Sequence, residues 1–571
     1  MSFEEVAKDV IKNSIRSAVC IDDRYPSAYE EDNEYLNKKE AKELYDSFRR
    51  DGLCDLDIYR FTNLQDCWTP GKRQYIIANK DLLILDWELD PGNGYESTLT
   101  ILRDVIESKR IPFIVIYTNT QKLKNIGKEL FNNFRTYHEN VFLDYITKVT
   151  SQLACISEGE LEEDDIKEIF IDNSDFFYEY IISKNQSSKN DFVNELKSNI
   201  SFRANINDQA ILRKLEQSIS RILGTSISDC FRELAKMVLA QDSDYYTEHV
   251  IDKIGTEELA FKIDGTIILV YQKAHNLNSI DDKKRIEPDK LFTTFSEAIV
   301  RDPHNFLNIL SLELKDRLRE KFSVIGTEFA KIGEKAFFYH LENYRNLNNN
   351  SDLDLPAIYD FVLKSWTEEL YQQQVGDELD ILLYADEHKQ KVDLDISIES
   401  NNSSSEESKK LLGELVHYAS YISTVKVVDR CDKKLRFGDL FTKEGSKDEF
   451  YLCITPLCDC LHPEDKIDNN FYFVKGFIPE TKKALEEAET GFYSFIVLED
   501  DPICIEWKCK PFTTHVENNN IDNIQLYYRN KAFKLSHITV LKQNYAQRIS
   551  NQAFGYGHRV GVDYPRLKTN F

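Results

Sequence analysis

The sequence predicts a multidomain protein: an open α/β sheet at the N-terminus, then a mainly α-helical middle region, then a β-rich (α+β) C-terminal module. Three observations predict this. Residues 1–150 alternate short apolar runs with amphipathic stretches, the pattern of a mostly parallel sheet covered by helices. From 151 to 415 apolar residues recur at helical spacing. From 416 to 571 short runs rich in β-branched and aromatic residues are separated by turn-prone stretches. A chain of 571 residues has room for about three to five domains.

Taken in order, Ser17 to Asp23 (SAVCIDD) is an apolar strand ending in two acids. Lys38 to Arg50 is charged but sets Ala41, Leu44, Tyr45 and Phe48 at helical spacing. Leu56 to Phe61 is a strand. Asp81 to Leu89 (DLLILDWEL) is a continuous apolar run, short enough for a strand covered on both faces. Tyr95 to Ser108 is a helix with Leu99, Ile101, Leu102, Val105 and Ile106 on one side. Pro112 to Thr118 (PFIVIYT) is another buried strand, Gln121 to Phe134 a helix, and Phe142 to Lys148 (FLDYITK) a last strand. In the middle region Ile211, Leu212, Leu215, Ile219 and Ile222 form an amphipathic stripe. Asn401 to Lys410 (NNSSSEESKK) contains no apolar residue and reads as an exposed linker or long loop. Beyond 420, TVKVV, FYLCIT, NFYFVKGF, FYSFIVL, ICIEW and IQLYY predict strands of a small barrel or sandwich.

Composition narrows the function. The net charge is −26, so the mean field repels phosphate and disfavours non-specific binding to nucleic acid or anionic membranes. No stretch approaches the ~18 apolar residues of a membrane span. The N-terminal MSFEEVAKDVIKNSIRS has no apolar core of a signal peptide, so a cytoplasmic protein is expected. The eleven Cys are then read as buried thiols first and metal ligands second.

The acids at the strand ends carry the chemistry. Asp22 and Asp23 close the first strand, and Asp86 lies near the end of DLLILDWEL. In open α/β sheets ligands bind outside the carboxyl ends of the strands. Like charges ~4 Å apart repel by about 4 kcal/mol at an effective dielectric of about 20, so such a cluster calls for a cation or protons. An oxygen-only donor set favours Mg²⁺. Thr118 adds a hydroxyl and Lys148 an ammonium to the same predicted edge. Together these groups fit a phosphoryl site, where a carboxylate can act as nucleophile.

This segment resembles a receiver domain of the bacterial response-regulator family, with its acid pair after the first strand, acceptor Asp after the third, Ser/Thr after the fourth and Lys after the fifth. CIDDRYP, LILDWEL and VIYTN are similar to a divergent subfamily found in phage-defence and conflict gene clusters. The resemblance, confined to residues 1–150, implies a flavodoxin-like fold. It further implies Mg²⁺ at Asp22, Asp23 and Asp86, phosphoryl transfer to Asp86, a switch hydroxyl at Thr118 and the strand-end lysine at Lys148. It implies a histidine kinase or related GHKL-type ATPase as partner, and a signalling or adaptor role rather than a turnover enzyme. LDWELDPGNG resembles the acceptor strand and its loop. Two departures stand out: an acidic insertion from Tyr25 to Asn37, and Val149 in place of the usual Pro after the lysine.

Three rival readings are a phosphorylation-independent scaffold, an aspartate-nucleophile phosphatase or hydrolase, and a nucleic-acid effector. The phosphatase pattern D-x-D is Asp86-Trp87-Glu88 here, which argues against it. The effector would use the basic tail through Arg548, Arg559 and Arg566, for which salt bridging to the protein's own acids is the favoured alternative. Cys431, Cys453, Cys458, Cys460, Cys504 and Cys509 with His462 raise zinc as a question. The C-x-C and C-x₄-C spacings favour core thiols instead.

Overall fold

The computed structural model describes residues 2–27, 36–51, 53–90, 94–120, 122–134, 139–158, 162–183, 186–203, 206–223, 230–239, 251–253, 259–274, 285–301, 305–329, 334–336, 338–339, 367, 379–392, 406–425, 433–461, 463–498, 501–516, 520–528 and 531–556. The chain divides into two compact units, Met1–Leu394 and Asp395–Phe571.

The first unit is built on one sheet. β1 (Ser17–Asp22), β2 (Asp55–Arg60), β3 (Leu82–Leu85) and β4 (Phe113–Thr118) are parallel, in the order β2-β1-β3-β4. Helices alternate with these strands: α2 (Lys38–Asp51), α5 (Glu96–Ser108) and α6 (Leu123–Phe134) where the sequence predicts them, and in addition α1 (Phe3–Ser14), α3 (Leu64–Cys67) and α4 (Pro70–Ile77). A capping box fixes the start of α1, Ser2 accepting from the Glu5 amide while Glu5 accepts from that of Ser2.

Beyond β4 the sheet departs from the expected layout. Phe142 to Lys148, expected as a strand, lies inside the helix α7 (Glu139–Ala154). An apolar run of this length has no periodicity that separates a strand from a buried helical turn. Five more helices follow: α8 (Glu163–Asp172), α9 (Ser174–Ser183), α10 (Gln186–Asn199), α11 (Asp208–Leu223) and α12 (Cys230–Leu239). Then the chain returns to the sheet with β5 (Ile251–Lys253), β6 (Ala260–Ile263) and β7 (Thr266–Lys273). β7 pairs parallel with β4, while β6 and β5 continue the sheet antiparallel; β8 (Arg285–Ile286) pairs parallel with β7. The middle region is therefore not purely helical, and the sheet begun before residue 150 takes its fifth parallel strand from beyond residue 265.

Alternation along the strands loads both faces. Val19, Ile21, Leu83, Leu85, Ile114, Ile116, Ile268 and Val270 join the core shared with α4 to α12. Ala18, Cys20, Leu82, Ile84, Phe113, Val115, Ile267 and Leu269 face α1, α2, α13 (Leu291–Arg301) and α14 (Phe306–Phe329). α14 is bolted to the amino edge of the sheet: Lys315 and Arg319 both donate to the Asp81 carboxylate at 2.7 Å, and the Arg16 and Ser17 amides donate to its other oxygen. α15 (Ala385–Val392) ends the described part of this unit.

The second unit is β-rich, as expected. It opens with α16 (Glu406–Ser423), so the last part of NNSSSEESKK is helical rather than linker; residues 401–405 lie outside the described residues. Among the described residues its strands are β9 (Thr424–Val425), β10 (Asp439–Lys443), β11 (Glu449–Cys453), β12 (Asn470–Phe477), β13 (Tyr493–Leu498), β14 (Asp501–Trp507), β15 (Phe512–His515), β16 (Ile524–Tyr528) and β17 (Lys531–Leu541). The helices α17 (Leu457–Leu461), α18 (Pro463–Ile467), α19 (Thr481–Glu486) and α20 (Gln543–Tyr556) complete it. One sheet face packs Leu440, Leu452, Val474 and Ile505 with Ala546 and Ile549 of α20; the other packs Phe441, Tyr451, Phe473 and Leu526. Among the described residues no helix is long and apolar enough to cross a membrane.

Candidate functional site

The carboxyl edge of the parallel sheet brings four strand ends together. β1 ends at Asp22, β3 at Leu85, so that Asp86 is the next residue, β4 at Thr118 and β7 at Lys273. The Asp86 amide donates to the Ile21 carbonyl at 3.1 Å, carrying the β1–β3 ladder one step past the strand and fixing Asp86 beside Asp22. The parallel register pairs Thr118 with Gln272, so Lys273 sits one step beyond the Thr118 row.

The side chains form a dense ionic centre. Lys273 Nζ donates to Asp22 Oδ2 at 2.6 Å and to Asp86 Oδ2 at 3.1 Å. The other Asp22 oxygen accepts from the amides of Arg24 and Tyr25, at 2.7 and 3.1 Å. The other Asp86 oxygen accepts from the Trp87 amide at 2.8 Å. Thr98 of α5 donates toward the Asp86 and Trp87 carbonyls, pinning the turn that presents Asp86. Lys273 also lies over the rings of Tyr25 and Tyr117, with the ammonium 4.8 and 5.6 Å from their centroids. Tyr25 donates to Glu40, and Tyr117 to the Ile286 carbonyl at 2.7 Å. Asp86 is buried, with 6% of its surface exposed.

Burial and like charge govern the titration here. Asp86 is held above the usual carboxylate range by burial, with Asp22 adding to the shift, while Lys273 and the Thr118 hydroxyl pull against it. Asp23, only partly buried, is pushed up to about 6 by burial and by the charges of Asp22 and Asp86. For Lys273 burial favours the neutral amine, but Asp86 and Asp22 outweigh it and the ammonium is held above its ordinary range.

Of the residues singled out from the sequence, Asp22, Asp23, Asp86 and Thr118 meet at this edge. One ligand oxygen from each of the three acids lies within 4.8 Å of the others. Lys148 does not join them; it is exposed on α7, and Lys273 occupies the strand-end position it was expected to hold. The signal for Lys273 was present in TIILVYQK, a β-branched run closed by a lysine just as PFIVIYT is closed by a threonine.

Residues 14–161 match a family model described as a response receiver domain. The first unit thus contains a receiver domain. The match ends within the helical insertion, short of β7 and Lys273. No curated protein and no solved structure matches the chain.

The acids form an oxygen-only donor set, with no His or Cys among them, which fits a hard divalent cation that retains water. The other sequence-derived candidates gather into no comparable centre. Among the described residues no three Cys or His side chains converge on a metal-sized site; Cys453, Cys460, Cys504 and Cys509 are buried and free. Cys431 and His462 lie outside the described residues, as do Arg559, Arg566 and residues 91–93 of LDWELDPGNG. Arg548 donates to the Glu489 carbonyl within its own unit.

Proposed function

We propose that the receiver domain is a phospho-accepting switch in which Asp86 is the nucleophile. The observation that carries this is the convergence of Asp22, Asp23, Asp86, Thr118 and Lys273 on one edge of the parallel sheet. An Asp86 oxygen attacks the phosphorus of an acyl-phosphate donor. The bond to the donor's leaving carboxylate breaks, and an aspartyl phosphate forms. A Mg²⁺ held by Asp22, Asp23 and Asp86 supplies charge neutralisation for the phosphoryl oxygens. Lys273, already within hydrogen-bonding reach of Asp86, neutralises a further oxygen. Thr118 turns its hydroxyl to the phosphoryl group, a charge change at a packed site of the kind that drives conformational switches.

The domain supports a signalling role. We infer further that the protein is an adaptor, not a turnover enzyme, that it is cytoplasmic, and that the second unit is its partner-binding module. A histidine kinase or GHKL-type ATPase as phosphodonor partner, and an anti-phage setting, are carried by the resemblance of CIDDRYP, LILDWEL and VIYTN alone. The test is incubation of the full chain with acetyl phosphate and Mg²⁺, read by intact mass. Wild type gains one phosphoryl group, and Asp86→Asn or omission of Mg²⁺ abolishes the gain. Equal labelling of wild type and Asp86→Asn, or none in either, replaces the switch with the phosphorylation-independent scaffold.

A further inference from the structure

Helix α16 carries two apolar stripes, and the described residues of its own unit bury one; at the margin of the other the Lys542 ammonium lies 6.0 Å from the centroid of the Tyr421 ring. Leu412, Val416 and Ser420 are buried, and the helix packs on β13, β14 and α19, with the Ser423 hydroxyl reaching the Phe495 carbonyl at 3.5 Å. The second stripe is Leu415, Tyr418 and Ile422, with Tyr421 beside it and Val425 just past the helix end, all exposed. Tyr418 and Tyr421 are 65% and 72% exposed. The steps of three, four and three from Leu415 to Val425 repeat every 3.5 residues, the period of a seam that receives another helix. Ordinary solvated helix faces carry charge. Here the charges gather in the first turns, at Glu406, Glu407, Lys409 and Lys410, and Glu414 is the last formal charge on the helix.

The size of the stripe and its symmetry indicate the occupant. With about 150–250 Å² per aromatic side chain, the two tyrosines alone present roughly 250 Å², and the aliphatic neighbours bring the patch to roughly 450 Å². Two such patches meeting face to face bury roughly 1,000 Å² with their flanks, the lower bound for a specific interface. The stripe is also self-complementary: a two-fold axis between Tyr418 and Ala419 sets Leu415 of one copy opposite Ile422 of the other. Antiparallel pairing opposes the helix dipoles and places no like charges across the seam. We propose that α16 pairs antiparallel with α16 of a second copy of this chain.

Sedimentation equilibrium of the full chain tests this, independently of any role for Asp86. At about 50 μM wild type sediments as a dimer. Tyr418→Glu and Ile422→Glu, both at exposed positions, sediment as monomers with unchanged far-ultraviolet dichroism. A monomeric wild type at this concentration assigns the stripe to another occupant and overturns the proposal, as do variants that stay dimeric. Tyr418→Cys reads the register: under mild oxidation it crosslinks two copies far beyond the background from the exposed Cys155 and Cys458 of wild type. Crosslinking no greater than that background overturns the antiparallel arrangement.

Discussion

At the scale of single residues, Lys273 is the side chain on which the ionic centre depends. It is the buried cation that Asp22 and Asp86 share, and removing it leaves two buried carboxylates facing each other. Lys273→Met therefore destabilises the protein by about 3–5 kcal/mol, measured as a lower midpoint in urea unfolding without divalent cations. Lys148→Met, at an exposed helical position, stays within about 0.5 kcal/mol of wild type. Either a stable Lys273→Met or an equally damaging Lys148→Met sinks this assignment. The contrast also marks what was legible in the sequence. Asp22, Asp86 and Thr118 each end an apolar run within the first 118 residues, so local pattern found them. Lys273 ends an equally clear run, but more than a hundred residues separate its strand from β4, and no local signal says which later strand returns to its side. FLDYITK filled the expected interval and was apolar enough to pass as a strand.

At the scale of elements, the sheet is held at both ends. Its carboxyl edge holds the acids, and its amino edge holds Asp81, where α14 is fastened by Lys315 and Arg319. Burial alone raises the Asp81 pKa, but the hydrogen bonds and charges of Arg319 and Lys315 outweigh it and hold the carboxyl below its ordinary range. A carboxylate with a depressed folded-state pKa stabilises the protein above its unfolded value, and that contribution disappears as pH falls through the folded one. Asp81→Asn then costs about 2 kcal/mol at pH 7, a figure kept modest because both cations reach solvent. The difference from wild type narrows as pH drops below about 4 and vanishes in stronger acid. A pH-independent difference in unfolding free energy, followed by urea titration at several pH values, contradicts this account. None of this ion-pair geometry could be read from sequence, since Asp81 and Arg319 lie on elements far apart in the chain. The strands of the second unit show the same limit in another form. FYLCIT and NFYFVKGF stand out by their aromatic and β-branched content, whereas KAFKLSHITVL, the longest strand, hides because lysine, serine and histidine alternate with its apolar residues.

At the scale of the whole molecule, the first unit is one folding problem even though only its beginning matches a receiver. All six residues of β4 are buried, and β7 covers the edge that would otherwise be open. A fragment ending at residue 161, where the family match ends, keeps β4 but loses β7, Lys273, α13 and α14. It exposes a hydrophobic unpaired edge, the arrangement most prone to intermolecular strand pairing. It also leaves Asp22 and Asp86 without their shared cation and strips Phe113, Val115 and Tyr117 of the helices that cover them. The fragment 1–161 is thus expected to aggregate or bind hydrophobic dye, whereas 1–394 retains both faces of the sheet and unfolds cooperatively in urea. A soluble, monomeric, cooperatively unfolding 1–161 would mean that β4 tolerates an open edge and that the helical insertion and β7 are additions to a complete domain. Failure of 1–161 alongside success of 1–394 would mean that the receiver core is closed only when the chain has passed through its helical insertion and returned, so that the lysine of the site arrives with the strand that completes the fold.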